Sequence, residues 1–153
     1  MSHDARLATL KIELPNPAAP AANYVPTVIA GNLLFVAGQI TIFNGELRYL
    51  GKLGADIDVE TGKQAARLCG LNIISQARAA LGGSLDRVKR CVKVGGFVNC
   101  MPDFIEHPQV VNGASDLMVE VFGDAGKHAR FAVGAVSLPR GVSVEVDAIF
   151  EIA

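Results

Sequence analysis

Apolar residues along the chain follow two periods, and the elements change where the period changes. Over 59–81 the residues Ala66, Cys69, Gly70, Ile73, Ile74, Ala77 and Leu81 recur every three or four positions, with Lys63, Arg67 and Arg78 on the other side. That spacing predicts one long amphipathic helix, stopped by Gly82-Gly83. A second stripe, Val111, Ala114, Met118, Val121 and Phe122, predicts another helix, opened by Pro108 at its first position and stopped by Gly123. Elsewhere the period is two, or the runs are β-branched. Segments 27–30 and 33–38 flank Gly31-Asn32, a dipeptide suited to a hairpin turn, and Asn44-Gly45 repeats the signal, allowing a third strand over 47–50. Segments 87–98, 130–136 and 142–152 read as further strands, the last two joined by Leu138-Pro139-Arg140-Gly141. In the last strand Val144, Val146, Ala148, Phe150 and Ile152 share one side, with Ser143, Glu145, Asp147, Ile149 and Glu151 on the other.

The N-terminus reads differently. Asp4 is placed to cap a short amphipathic helix carrying Leu7, Leu10 and Leu14, which Pro15 and Pro17 would stop. Residues 15–22, PNPAAPAA, read as a Pro/Ala linker in polyproline II. The expected division is therefore an N-terminal helix and linker over 1–22 and a globular domain over 23–153. The domain order β-β-(β)-α-β-α-β-β predicts an α+β fold, a mixed sheet with two helices on one face. The other sheet face must meet water, a ligand or another subunit, and a cyclic oligomer would cover it.

Composition narrows the picture. With 153 residues, 50% of them hydrophobic and 19% charged, the chain can bury enough apolar area to offset its ordering entropy, which excludes wholesale disorder. A net charge of −1 supplies no bulk attraction to nucleic acid or an anionic membrane. No apolar run approaches the roughly 18 residues needed to span a bilayer, and the first residues lack the pattern of a secretory leader. Three cysteines, an odd number without a CxxC, suit reduced thiols and a cytoplasmic setting.

Several chemistries lack their motifs. The chain has no GxSxG, Walker A loop, HExxH or GxGxxG. His3, His107 and His128 lie far apart without the spacing of metal ligands, so no metal is expected. Cys69 falls on a helix's apolar stripe, and Cys91 and Cys100 edge a strand; all three read as structural. What stands out is a scattered polar set: Tyr24, Gly38-Gln39, Asn112, Arg130 and Glu145. Arg130 interrupts the apolar run Ala129-Arg130-Phe131-Ala132-Val133, which is costly unless its guanidinium meets a carboxylate or faces water.

Taken in order, these residues carry a resemblance. Tyr24-Val25, Gly31-Asn32, Val36-Ala37-Gly38-Gln39-Ile40, the helix over 64–81, Asn112 and the closing Ala129-Arg130 … Val133 … Leu138-Pro139 … Val144-Glu145-Val146 resemble the reactive intermediate deaminase family, RidA or YjgF, also known as endoribonuclease L-PSP or translation inhibitor. The resemblance implies a chorismate-mutase-like β-α-β-α-β-β domain, a homotrimer with clefts between subunits, and cofactor-free hydrolysis of imino acids such as 2-aminoacrylate to 2-keto acids and ammonia. It implies Arg130 as carboxylate clamp, Glu145 as acid/base, and Tyr24, Gly38, Asn112 and Ala132 as substrate-binding positions. Ala37, Ala132 and His128 stand where archetypal members often carry Ser, Cys and Pro, and Ala22-Asn23 replaces a Gly-Pro. Two other readings stand beside hydrolysis: a non-catalytic binder of small carboxylates such as 2-keto acids, and the older endoribonuclease label, which the charge balance and few aromatics disfavour.

Overall fold

In the computed structural model, which describes residues 1–19 and 23–153, a five-stranded sheet runs in the order 27–30, 33–39, 144–152, 88–99, 129–135, with the C-terminal strand in the middle. The elements are α1 (His3–Thr9), β1 (Thr27–Ala30), β2 (Leu33–Gln39), β3 (Ile42–Phe43), β4 (Glu46–Leu47), α2 (Val59–Ala80), β5 (Val88–Asn99), α3 (His107–Phe122), β6 (Ala129–Ala135) and β7 (Val144–Ile152). Only β5 and β6 run parallel, with α3 as their crossover; β7 is antiparallel to both of its neighbours. The α+β class and the two helices on one face stand as the sequence predicts.

Both turn signals form. Ala30 pairs with Leu33 around Gly31, whose φ of +62° fits the first central position of a type II′ turn. Asn44 and Gly45 are both left-handed, at +49° and +88°, as a type I′ hairpin requires. The strand expected over 47–50 is shorter and earlier: Glu46–Leu47 pairs with Ile42–Phe43 in a separate small ribbon. The long helix ends as foreseen. Gly83 N donates to the Arg78 carbonyl and Gly82 N to that of Ala79, the two bonds of a Schellman cap.

The core lies between the helices and one sheet face. Ala66, Cys69, Ile73, Ile74 and Ala77 of α2, Val111, Ala114, Leu117, Met118 and Val121 of α3, and Val144, Val146, Ala148, Phe150 and Ile152 of β7 are all buried. Gly70 lets α2 approach α3, since a Cβ there would sit 2.9 Å from Leu117 and 3.5 Å from the Ala114 backbone. Ser143, grouped by alternation with the outward residues, is fully buried just before β7 begins. The opposite sheet face stays open and partly apolar: Val28, Phe35, Phe97 and Val133 are 39–52% exposed there.

At the N-terminus the helix is capped by Ser2, whose hydroxyl accepts from Ala5 N, and not by Asp4. The Asp4 carboxylate instead accepts from Ser84 Oγ and Leu85 N beyond the end of α2, and pairs with Arg78. The helix ends at Thr9, so Leu10 and Leu14 fall outside it, and Leu7 is its buried anchor. The described part of the Pro/Ala stretch lies along α2: Ser75 Oγ donates to the Pro15 carbonyl at 2.6 Å and Gln76 Nε2 to that of Ala18 at 2.8 Å. Residues 20–22 of that stretch lie outside the described residues. No helix of the described residues is long and apolar enough to cross a membrane.

Candidate active site

The residues singled out in the sequence separate into two groups on opposite faces of the sheet. Because β5 lies between β6 and β7, these strands do not form a hairpin. Arg130 is level with Val94 of β5 and Glu145 with Phe97, so the two are two strands and three residues apart, about 14 Å between Cα atoms. Val94 faces the helices and Phe97 the open face, so Arg130 and Glu145 also point opposite ways. Within one chain they do not meet.

Glu145 belongs to the first group. It lines a pocket of about 220 Å³ together with Tyr24, Gly38, Gln39, Gln76 and Arg140. The pocket exists because the β2–β7 register slips between Val36 and Gln39, a bulge that opens the strand pair at Gly38. A Cβ at Gly38 would overlap the Glu145 carboxylate, so glycine supplies the room that the acid occupies. Partial burial pushes the Glu145 carboxyl above the ordinary range, and the charge of Asp147, two residues along on the same face, pushes the same way. Asp147 is itself raised, by desolvation first, partly offset by the Gly95 amide and the Lys93 ammonium. A carboxyl so placed holds a proton more readily than a free one, which suits it to proton exchange.

Arg140 is a pocket residue the sequence reading passed over. It sits in the Pro139–Gly141 turn with a left-handed φ of +59°, unusual for a residue with a side chain. Its only signal in the sequence was the glycine after it, which reads as an ordinary turn.

The second group is a hydrogen-bonded chain at the sheet edge. Arg130 Nη1 donates to Asn112 Oδ1 at 2.8 Å and to Ser115 Oγ at 3.2 Å. Ser115 Oγ lies 2.8 Å from His128 Nε2, and His128 Nδ1 lies 2.6 Å from the Gly126 carbonyl. One proton assignment satisfies all four contacts: Nδ1–H donates to the carbonyl, and Nε2 accepts the Ser115 hydroxyl proton. Ser115 and His128 thus fix the guanidinium that Asn112 also holds. Sequence reasoning found Asn112 and Arg130 but missed Ser115, whose link to His128 arises only when α3 packs against β6. Ala132, two residues beyond Arg130 on the same side of β6, is half-buried.

Tyr24, Gly38 and Glu145 are therefore brought together, and so are Asn112, Arg130 and Ala132, but as two separate groups. Among the described residues no three His, Cys, Asp or Glu side chains cluster as metal ligands. A β-α-β-α-β-β domain with an acid pocket on one sheet face and a clamped arginine at the sheet edge defines the class of small chorismate-mutase-like proteins. Comparison with known proteins agrees. The family model described as "YjgF/chorismate mutase-like, putative endoribonuclease" matches residues 4–149. Protein TCP17 of Trypanosoma cruzi is 51% identical over 149 residues, covering 97% of this chain and 92% of its own. A RutC family protein of Pyrococcus horikoshii is 31% identical, covering 88% and 90%. The crystal structure of Atu1372 from Agrobacterium tumefaciens, a protein of unknown function, superposes with a TM-score of 0.92 at 46% identity, covering 99% of this chain and 92% of that one. The chain belongs to the YjgF/RidA family.

Proposed function

We propose that this protein hydrolyses reactive enamine and imine acids, such as 2-aminoacrylate, to 2-keto acids and ammonia, in clefts shared between neighbouring copies of a trimer. The observation that carries the proposal is the Glu145 carboxyl: raised, half-buried, and given room by Gly38 in a pocket the size of a small acid. The open, partly apolar sheet face supports the assembly, because a second copy would remove Val28, Phe35 and Val133 from water. Such packing lets Arg130 of one copy complete the Glu145 pocket of the next, which one chain cannot do for itself.

The chemistry needs no cofactor. A planar guanidinium holds the substrate carboxylate by two parallel hydrogen bonds and fixes the imine carbon. A proton from solvent adds to the enamine methylene and gives the iminium. Glu145, as carboxylate, then orients a water and takes its proton as the oxygen bonds to the imine carbon. Glu145 returns that proton to the nitrogen of the resulting carbinolamine, the C–N bond breaks to release ammonia, and the hydroxyl proton passes to solvent as the keto acid forms. Substrate plus water thus equals keto acid plus ammonia. RNA cleavage fits less well, since the exposed aromatics of the open face, Phe35 and Phe97, lie among the carboxylates of Glu145, Asp147 and Glu151.

The test generates 2-aminoacrylate in the cuvette with a pyridoxal-phosphate lyase and follows its disappearance with and without the protein. Wild type should accelerate the loss. Glu145→Gln should lower kcat by about 100-fold or more, and Arg130→Ala should act mainly through KM. Binding of a 2-keto acid by calorimetry with no acceleration would identify a carboxylate binder and overturn the hydrolase reading.

A further inference from the structure

From the sequence, Cys100 edges a strand and reads as a structural thiol. The fold changes that. The chain turns at residues 100–106 between β5 and α3 and returns His107, the first residue of α3, to the thiol, with Sγ and Nε2 3.5 Å apart. The contact depends on a missing side chain: a Cβ at Gly134 would lie 2.9 Å from both Cys100 Sγ and His107 Nε2. The imidazole is steadied by an edge-on contact with Phe104, ring centroids 5.3 Å apart.

The pair opens onto a groove of about 520 Å³, separate from the Glu145 pocket and walled by Met101, Pro102, Phe104 and Val136. Lys52 stands at its rim, its ammonium held by Asn99 Oδ1 at 2.7 Å and by the Val136 carbonyl. Lys52 and His107 are the ionisable groups lining the groove beside the thiol; Asp103 and Glu106 of the same turn are exposed and line no part of it. A nucleophile beside a base, an apolar wall and a fixed cation suit an uncharged electrophile with a carbonyl oxygen.

We propose that Cys100 is a covalent capture site for small α,β-unsaturated carbonyl compounds, with His107 as its acid–base partner. The thiol proton passes to Nε2 as sulfur bonds to the β-carbon. The C=C π pair moves toward the carbonyl as an enolate, which Lys52 faces, and the imidazolium returns the proton to the α-carbon. The product is a thioether and no oxidant or reductant takes part. The site stands independently of imine hydrolysis.

The other cysteines serve as internal standards. Burial pushes the Cys69 thiol far up and the Cys91 thiol to about 12, so neither supplies thiolate in the folded protein. The experiment treats the full-length protein with cyclohex-2-enone between pH 6 and 8 and follows each cysteine by peptide mass mapping, with glutathione as the reference thiol. Cys100 should react about tenfold faster than glutathione at pH 6.5, while Cys69 and Cys91 stay unmodified. His107→Gln, folded as judged by circular dichroism, should return Cys100 to glutathione's rate. A wild-type Cys100 that reacts no faster than glutathione, or a folded His107→Gln protein that reacts like wild type, would overturn the proposal; the first result needs no variant.

Discussion

The Arg130 cluster and the Glu145 pocket are built on opposite principles. At the sheet edge Arg130 is held by Asn112 and Ser115, and Ser115 by a histidine whose other nitrogen meets a backbone carbonyl. Its partners there are supplied by the chain, and the result is a cation held at the sheet edge. On the open face Glu145 has a cavity instead of a partner: a bulge and a glycine make room, and burial first, then a neighbouring carboxylate, raises its proton affinity. One group is tied down and the other has room to act. The difference teaches that a held cation and a raised carboxyl are built here on separate elements, β6 with α3 for the first and the β2–β7 seam for the second.

If the two groups meet between copies, the division can be broken by mixing. Arg130→Ala and Glu145→Gln chains should each be nearly inactive alone, yet refolded together they should regain activity at about a quarter of the sites, since each working cleft needs an intact arginine from one chain and an intact glutamate from another. Absence of recovery in a mixture shown by light scattering to be trimeric would overturn the shared cleft and bring Arg140, which lines the Glu145 pocket, forward as the clamp.

Gly38→Ala sharpens the comparison from the Glu145 side. The added methyl overlaps the Glu145 carboxylate, so kcat should fall about tenfold or more and stability by about 1–3 kcal/mol, read from denaturant midpoints. Alanine at the same level of activity and stability would mean that the bulge relaxes freely and that the cavity is not what sets the acid.

The smallest effect concerns Asp147. Its charge helps hold the Glu145 carboxyl up, so Asp147→Asn should move the acidic limb of the pH–kcat profile to lower pH. Stability follows the same sign. A carboxyl raised in the folded state favours folding below its unfolded value, and that advantage is lost as pH rises through the folded value. Removing the Asp147 charge should therefore raise Tm at pH 7 by only about 1–2 °C, screening at this exposed face keeping it small. No shift in the limb would remove Asp147 from the account of Glu145.

Much of this was legible in the linear chain, for physical reasons tied to range. Both helices, the Schellman stop at Gly82-Gly83, the two hairpin turns and the alternation along 144–152 rest on local periodicity and backbone sterics, which tertiary structure had no cause to override. Local signals also misled where a competing partner lay far away: Asp4 looked like a cap because Ser84 and Leu85, its actual partners, are some eighty positions downstream. Cys100 looked inert because its neighbour His107 reaches it only through a turn and a glycine on another strand.

The sequence alone determined the elements, the α+β class, the family, and the identities of Arg130, Glu145, Tyr24, Gly38 and Asn112 as the residues to watch. Tertiary structure decided where each of them points. The order β2-β7-β5-β6 put a strand between Arg130 and Glu145 and turned them to opposite faces, which no spacing of fifteen residues could reveal. It also joined Ser115 to His128 and Cys100 to His107, and set Arg140 at the Glu145 pocket. Periodicity fixes which side of its own element a residue takes; which elements become neighbours is set by burying one shared core, and that is a property of the whole chain.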